Sequence, residues 1–171
     1  KRRTDMLLFV NGIPLTLMEF KAPHERVEQA FVGNIRDYRK SIPRVFWFNA
    51  FVLVSNGDDT RVGSTYAPWE FFAEWKKVMS EDEQGVVSLE TTLRATCSPK
   101  RLLDLVEHFI VFTELPGGLV KALAKNHQFL GVNNAIEAVK DARGREGRLG
   151  VFWHTQGSGK SLSMLWFTQK V

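Results

Sequence analysis

The sequence lacks the features that mark exported and membrane proteins. It contains a single cysteine, Cys97, so no disulfide can form within the chain. Structural disulfides belong mainly to oxidising compartments. There is no signal peptide, no apolar run long enough to span a bilayer, no internal repeat and no low-complexity tract. These absences predict a globular protein of the reducing cytoplasm that has no membrane partner.

A starting methionine is also missing, and the chain ends inside a predicted helix. The 171 residues, 44% of them hydrophobic and five of them Trp, suggest one domain with a core and part of a second domain. Residues 1–45 and 121–171 carry mostly basic charges, whereas residues 46–120 are acidic. Basic ends suit a polyanion such as DNA or a nucleotide, although solvated surface charge explains the pattern nearly as well. We expect this chain to be a piece of a larger protein.

Residues 154–161 read HTQGSGKS, which is typical of a phosphate-binding loop. Gly157 and Gly159 let the backbone curl so that its N–H groups point at phosphate oxygens, and a helix N-terminus adds its positive dipole end. Lys160 is expected to neutralise the β- and γ-phosphates, and the Ser161 hydroxyl to reach Mg²⁺.

The flanks of this loop fit the motif, because an apolar run at residues 149–153 predicts a strand and residues 162–171 predict a helix. One position departs from the general pattern, since His154 stands where the consensus has Gly. The alternative is a flexible Gly-Ser turn with a chance lysine. The acidic strand and the arginines that a motor needs do not follow, so we expect the fragment to hold a nucleotide weakly without hydrolysing it.

A second group of polar residues lies near the N-terminus. Residues 4–10 and 14–20 predict two strands joined by an Asn-Gly turn. A tight two-residue turn would pair Asp5 with Met18, facing away from Glu19. A three-residue loop, or one bulge, would instead place Asp5 opposite Glu19. In that register the two carboxylates could hold Mg²⁺ and activate a water for phosphodiester hydrolysis.

Lys21 shares a strand face with Glu19, while Met18 and Phe20 point to the other face. Lys21 could orient the attacking water or stabilise the pentacovalent phosphate. Carboxylates and lysines at strand ends are usually solvated, so the motif is weak alone. The strand that carries Glu19 is otherwise apolar, and a carboxylate on a buried sheet face is costly unless it is paired or metal-bound.

The next segment, residues 25–40, predicts a helix whose inward stripe includes Asn34 and Tyr38. Both would face the sheet that carries Glu19. An inward amide needs partners, and an active-site carboxylate or a DNA backbone would serve. An ordinary buried amide bonded to the main chain is about as good an interpretation of Asn34.

Apolar patterns and turn residues predict the remaining elements. They are strands over residues 44–55 and 60–65, helices over 69–78, 88–95 and 99–112, and a chain break at 116–118.

Asp5, FVNGIPL at residues 9–15 and EFK at residues 19–21 together resemble the PD-(D/E)xK nuclease core of type I restriction enzyme R subunits. The VNGIPL turn is the most specific part. That family continues with a Q-x-x-x-Y helix motif, whose positions are held here by Asn34 and Tyr38. Segments 51–64 and 102–112 are also similar to the family.

The resemblance continues in the last third of the chain. Residues 127–136 resemble the family's adenine-side segment, in which Gln128 matches the glutamine that reads the adenine edge in superfamily 2 helicases. Residues 152–161 match its phosphate-binding loop, including the non-glycine first position. The implied ATP-binding residues are Gln128, Thr155, Gln156, Gly157, Ser158, Gly159, Lys160 and Ser161. The implied catalytic residues are Asp5, Glu19, Lys21, Asn34 and Tyr38, and the implied Mg²⁺ ligands are Asp5, Glu19 and Ser161.

The resemblance implies an α/β fold, in which a restriction-endonuclease-like mixed sheet flanked by helices precedes the first βα unit of a RecA-like domain. The expected divisions are a nuclease domain at residues 1–98 without its N-terminal part, a helical linker at 99–125, and a truncated helicase motor at 126–171.

The function implied by the resemblance is that of an ATP-dependent, DNA-translocating restriction endonuclease that cuts double-stranded DNA with Mg²⁺. Its expected partners are the modification (methyltransferase) and specificity subunits. Two alternatives stay open: a superfamily 2 translocase without an active nuclease, and a non-catalytic DNA-binding or assembly module.

Overall fold

The computed structural model describes residues 2–115, 118–144 and 146–171 and has the predicted α/β character. Its centre is a four-stranded mixed sheet in which the strands are adjacent in chain order. The strands are β1 (Met6–Val10), β2 (Ile13–Phe20), β3 (Phe51–Ser55) and β4 (Thr60–Ser64). β2 and β3 are parallel, whereas β1 with β2 and β3 with β4 are antiparallel.

The two faces of this sheet bury two separate apolar clusters, as the period-2 alternation of strand side chains requires. Leu17 and Val52 pack with Phe31 and Ile35 on one face. On the other face, Met18 and Leu53 belong to a larger cluster that draws on every later helix of the described chain. Because Glu19 alternates with Met18, its side chain lies on the first face, among the residues that follow β2.

The helix after β2 opens with a π-helical turn, Ala30–Ile35, and continues as α1 (Arg36–Ser41). The later helices are α2 (Leu89–Thr96), α3 (Pro99–His108), α4 (Asn126–Lys140) and α5 (Lys160–Lys170). Ser88 caps α2 by accepting the Thr91 N–H, and Pro99 fills the first position of α3, where the missing N–H costs nothing. None of the described helices has the length and apolar character that crossing a membrane requires.

Two predicted elements are shorter than expected. The strand predicted over residues 44–55 begins only at Phe51, because Pro43–Phe46 forms a 3-10 turn with the proline at its start. The helix predicted over residues 69–78 is reduced to the 3-10 turn Trp69–Phe71. Beyond it, Ala73 exchanges two backbone hydrogen bonds with Val62 at 2.9 Å, so the chain runs extended beside β4.

The helix predicted over residues 99–112 ends at His108, where the β-forming run that begins at Ile110 takes over. That run is β5 (Ile110–Leu115), and it pairs with β6 (Gly118–Leu123) in a separate two-stranded sheet. The break expected at residues 116–118 therefore separates two paired strands, and Pro116 and Gly117 themselves lie outside the described residues.

The strand predicted over residues 149–153 is wrong for this structure. The segment pairs with no other described strand, and Val151 and Trp153 are 92% and 76% exposed. A strand needs a neighbour to accept and donate its backbone hydrogen bonds, and an apolar run without one stays irregular. The helix after the loop is present as α5, so the expected βα unit is observed only in its second half.

Candidate functional site

Asp5 and Glu19 are brought opposite each other by a bulge. A two-residue turn links β1 and β2, with Asn11 and Gly12 in the left-handed region at φ 49° and 81°. The register then shifts between Leu8 and Phe9, so that Met6 pairs with Met18. Continuing this register by one residue beyond β1 puts Asp5 opposite Glu19. Asp5 Oδ2 accepts the N–H of Phe20 at 2.8 Å. The turn has two residues, and the bulge changes the register that such a turn would otherwise set. A bulge was one of the two predicted ways to place Asp5 opposite Glu19.

Glu19 is buried, with 1% of its surface exposed. Its Oε1 accepts a 2.5 Å hydrogen bond from Asn34 Nδ2 and a 3.1 Å hydrogen bond from the Tyr38 hydroxyl. Its Oε2 is equally buried and has no hydrogen-bond partner among the described residues. Burial raises the pKa of the Glu19 carboxyl, the negative charge of Asp5 raises it further, and the hydrogen bonds from Asn34 and Tyr38 lower it in part.

Lys21 joins the same network through Asn34, because its Nζ donates to Asn34 Oδ1 at 3.4 Å. The Asn34 amide therefore bridges a cation and a carboxylate, and within the described part of the chain its side chain has no hydrogen bond to the main chain. Tyr38 places its hydroxyl 2.7 Å from the carbonyl of Arg3 and 3.1 Å from Glu19, and its single proton serves one acceptor at a time. Burial and the Glu19 charge raise the pKa of Tyr38 to about 12, so its hydroxyl stays a donor.

The π-helical turn helps to aim these side chains. A π turn adds one residue to the helical repeat, and such turns are frequent at functional sites. Asn34 lies inside the turn and Tyr38 lies in α1 beyond it, yet both reach the same carboxylate oxygen. Phe31 and Ile35 of the same segment are fully buried against the sheet, so packing fixes the helix on the Glu19 face.

The donors at this place suit a divalent cation. Carboxylate oxygens are ligands that Mg²⁺ and Mn²⁺ take in proteins, and Glu19 Oε2 is a buried oxygen that no described residue hydrogen-bonds. Among residues 2–115, 118–144 and 146–171, no three His, Cys, Asp or Glu side chains converge as a ready-made metal cluster. Asp5 and Glu19 remain the predicted protein ligands of a divalent cation, with water or substrate oxygens completing the shell.

The backbone of the loop at residues 154–161 depends on two glycines. Gly157 and Gly159 adopt φ values of 78° and 83°, which side chains rarely tolerate. The Lys160 ammonium donates to the carbonyls of His154 and Thr155 at 2.9 and 3.0 Å. Gly159 is the N-cap of α5. The lysine thus sits on its own loop, at the N-terminal end of a helix, where anions bind favourably.

Gln128 supports this loop from α4. Its Oε1 accepts the Lys125 N–H at 2.8 Å, and its Nε2 donates to the carbonyls of Ser158 and Gly159 at 3.1 and 3.2 Å. Only 2% of Gln128 is exposed. A Cβ on Gly159 would lie 2.6 Å from Gln128 Nε2, so this contact also requires the glycine. The role of Gln128 in reading adenine, and those of Gln156 and Ser161 in binding ATP and Mg²⁺, remain predictions.

The sequence did not predict the contacts that His154 makes with His127 and Glu81. His154 Nε2 lies 3.2 Å from Glu81 Oε1, and the His154 ring stacks edge to face with His127 at 4.9 Å between centroids. His127 Nε2 in turn donates to the Ser158 carbonyl at 3.1 Å. The only sequence signal was the histidine in the place of a glycine. Nothing in the spacing connected it with an acidic residue 73 positions earlier.

Comparison with known proteins matches both halves of this arrangement. Residues 1–71 match the family model described as "Type I restriction enzyme R protein N terminus", and residues 127–171 match the model for SWI2/SNF2 ATPases. Asp5 and Glu19 therefore lie in a segment that resembles the N terminus of type I restriction enzyme R proteins, and the loop at residues 154–161 lies in a segment that resembles an ATPase.

Curated relatives cover almost the entire chain. The HindI type I restriction enzyme endonuclease subunit of Haemophilus influenzae is 36% identical over 100% of the chain. A putative type I restriction enzyme endonuclease subunit, MjaIXP of Methanocaldococcus jannaschii, is 31% identical over 99%. The chain spans 17% and 18% of the length of these two relatives. It belongs to the R-subunit family of type I restriction enzymes and corresponds to the N-terminal region, as the sequence motifs predicted.

Proposed function

We propose that residues 1–98 carry a metal-dependent nuclease site and that residues 126–171 begin an ATP-driven motor. The expected helical linker at residues 99–125 is helical only in α3, and the strand pair β5–β6 forms its second part. The protein would be the restriction subunit that pulls double-stranded DNA past itself with ATP and cuts it. One observation carries the nuclease part of this proposal. The buried Glu19 has one oxygen within hydrogen-bond distance of Asn34 and Tyr38, and its other oxygen has no hydrogen-bond partner among the described residues.

The energetic reason is direct. Burying a carboxylate is costly unless hydrogen bonds or an opposite charge compensate it. Asn34 and Tyr38 compensate one oxygen of Glu19 and fix the carboxylate plane, whereas Oε2 has no hydrogen-bond partner among the described residues. The described residues place no cation against Oε2, so a bound divalent ion is the natural compensation. When bound, the ion would lower the pKa of a water and neutralise charge on the phosphodiester.

The residues of this chain would then share the work. Asp5 and Glu19 would bind the ion and position it. Asn34 and Tyr38 hold Glu19 in place. Asn34 also accepts a hydrogen bond from the Lys21 ammonium, with 3.4 Å between Lys21 Nζ and Asn34 Oδ1. From that position Lys21 would orient the attacking water or stabilise the pentacovalent phosphate.

The nucleotide part rests on the loop geometry. Two glycines at positive φ, a lysine poised on the loop and the N-terminus of α5 form a concave array for a triphosphate. The loop residues from Thr155 to Ser161 would cradle ATP, Lys160 would contact the β- and γ-phosphates, Ser161 would reach Mg²⁺, and Gln128 would read the adenine. The DNA-bound complex would also contain the modification and specificity subunits.

Cleavage of plasmid DNA by the full-length protein with its partner subunits tests the nuclease assignment. Glu19→Gln is expected to lower cleavage by about 100-fold or more, because it removes the ligand charge while keeping the shape, and ATP hydrolysis should be retained. Glu90→Gln, at an exposed position of α2, is the matched control and should cut normally. Normal cleavage by Glu19→Gln would leave a translocase without this nuclease site, and wild-type protein that neither cuts nor hydrolyses ATP would leave a binding module.

A further inference from the structure

The phosphate-binding loop of this chain is attached to the region that carries the carboxylate pair by a contact between His154 and Glu81. His154 begins the loop, and Glu81 belongs to the segment of residues 77–83 that precedes α2. The two side chains meet at 3.2 Å, and His154 is 10% exposed at its side chain. Because a carboxylate can only accept, His154 Nε2 carries the proton and donates it.

The His154 ring is enclosed by aromatic and backbone atoms. It packs edge to face against Phe152 at 4.6 Å and against His127 at 4.9 Å between ring centroids. A Cβ on Gly131 would come within 2.9 Å of the Phe152 ring and 3.2 Å of the His154 ring. The absence of a side chain at position 131 therefore lets both rings rest on α4, and the rings locate the start of the loop relative to that helix.

The partner segment is itself held rigidly. The Glu83 carboxylate accepts the N–H groups of Val78, Met79 and Ser80 at 2.7, 2.7 and 3.2 Å. Asn126, at the start of α4, accepts the N–H groups of Lys76 and Lys77 at 3.2 and 3.0 Å. Glu81 is thus presented from a fixed backbone, unlike an ordinary surface carboxylate, whose ion pairs contribute little.

His154 also controls the starting position of the lysine. The Lys160 ammonium rests on the carbonyl of His154 at 2.9 Å and on that of Thr155 at 3.0 Å. To reach a phosphate, Lys160 must leave or share these carbonyls, so the free energy of phosphate binding depends on how firmly His154 is held. His127 and Gln128 hold the opposite side of the same loop through the Ser158 carbonyl.

We propose that His154 is a positioning residue of the nucleotide site and that Glu81 acts on nucleoside triphosphate binding through it. The inference rests on the proposed nucleotide binding and goes beyond it. It identifies a contact through which residues 77–83 and the phosphate-binding loop influence each other. By reciprocity, a nucleotide that alters the loop must alter the Glu81 segment by the same coupling free energy.

A double-mutant cycle in the full-length protein tests this coupling, with the dissociation constant of a fluorescent, non-hydrolysable ATP analogue as the readout. Glu81→Ala and His154→Gly are each expected to weaken binding by about 5-fold or more. The double variant should bind no more weakly than His154→Gly alone, because the effect of Glu81 requires the imidazole. Glu81→Gln keeps an acceptor for His154 Nε2 and should bind within about 2-fold of wild type.

Asp82→Ala is the matched control, since it removes the same charge from the next position and should leave binding unchanged. Losses that multiply in the double variant, or an equal loss in Asp82→Ala, would overturn the inference. If His154→Gly fails to fold, the contrast between Glu81→Ala and Glu81→Gln decides the question. Wild-type binding that is lost in Lys160→Ala but unchanged in Glu81→Ala overturns this inference alone. No binding by the wild type overturns the proposed nucleotide site as well.

Discussion

The carboxylate pair and the phosphate-binding loop are built in different ways. Glu19 is fully buried and is held by side chains 15 and 19 residues away, on a segment that packs into the core. Lys160 is exposed, and its ammonium rests on carbonyls five and six residues away. The apolar run before the loop has no strand partner among the described residues, and Val151 is 92% exposed.

The geometry of the first site is determined by packing between distant segments, whereas the geometry of the second is determined by the backbone of the loop itself. The nuclease candidate depends on distant packing, so its geometry is present before any ligand binds. The loop depends on glycine torsions and on a lysine that must move. We therefore expect changes at the first site to alter chemistry and local stability, and changes at the second to alter binding and every step that follows it.

The largest expected effect is that of Lys160→Ala in the complete enzyme. Loss of the positive charge that holds the phosphates should abolish ATP-driven translocation, because such a charge stabilises the transition state by about 3 kcal/mol. Cleavage should stop as well, although Asp5 and Glu19 are untouched. Parallel assays of ATP turnover and plasmid cutting measure this, and wild-type cutting without ATP turnover would show two independent activities.

A metal-binding measurement examines the first site directly. Calorimetric titration of Mn²⁺ into the full-length protein should reveal a binding site that is lost in Asp5→Ala, because the ion is expected to need the carboxylates of both Asp5 and Glu19. The exposed Asp58 in the turn before β4 offers a control, and Asp58→Ala should bind as the wild type does. Equal Mn²⁺ binding by wild type and Asp5→Ala would remove the chemical basis of the nuclease assignment.

Tyr38→Phe should have a smaller effect. It removes one donor to Glu19 Oε1 and leaves the ring packing intact. Cleavage should fall by about 10-fold, which corresponds to the free energy of one hydrogen bond to a charged group. ATP hydrolysis should hardly change. Tyr66→Phe, at a half-exposed ring away from this carboxylate, is the matched control. A parallel loss of both activities in Tyr38→Phe would indicate misfolding, and no loss would make Tyr38 a packing residue.

The smallest expected effect concerns stability and pH. The pKa of Glu19 is raised in the folded protein, so folding takes up a proton and stability falls as pH rises above the ordinary carboxyl range. Without metal, Glu19→Gln should therefore increase hydrogen-exchange protection of the β2 and β3 amides at pH 7, by about 1 kcal/mol. The gain should fade as pH falls through 4.5, the ordinary pKa of the carboxyl, because the carboxyl then becomes protonated in the unfolded state as well. Added Mn²⁺ should protect the wild type and not the variant.

The sequence predicted most of this site because local patterns determine most of it. Strand alternation placed Glu19 and Lys21 on one face, and helical spacing placed Asn34 and Tyr38 toward it. The register could not be fixed from residues alone, because a tight turn and a bulge act in opposite directions. The strand predicted at residues 149–153 is wrong, and the β5–β6 pairing was not predicted. Both errors have one cause, because strand formation depends on neighbours that a single segment does not reveal.

The bulge between β1 and β2 shows how the length of the chain between Asp5 and Glu19 determines whether the two carboxylates align. Leu15 is the residue left over by the shift, since Thr16 pairs with Leu8 and Pro14 with Phe9. What keeps Asp5 across from Glu19 is the number of residues between them, whichever way the connection distributes it. A homologous chain that moved the surplus residue from the strand into the turn would keep its carboxylates aligned. Loss of the surplus residue without such a transfer would place the two carboxylates on opposite faces, although Asp5, Glu19 and Lys21 all remained in the sequence.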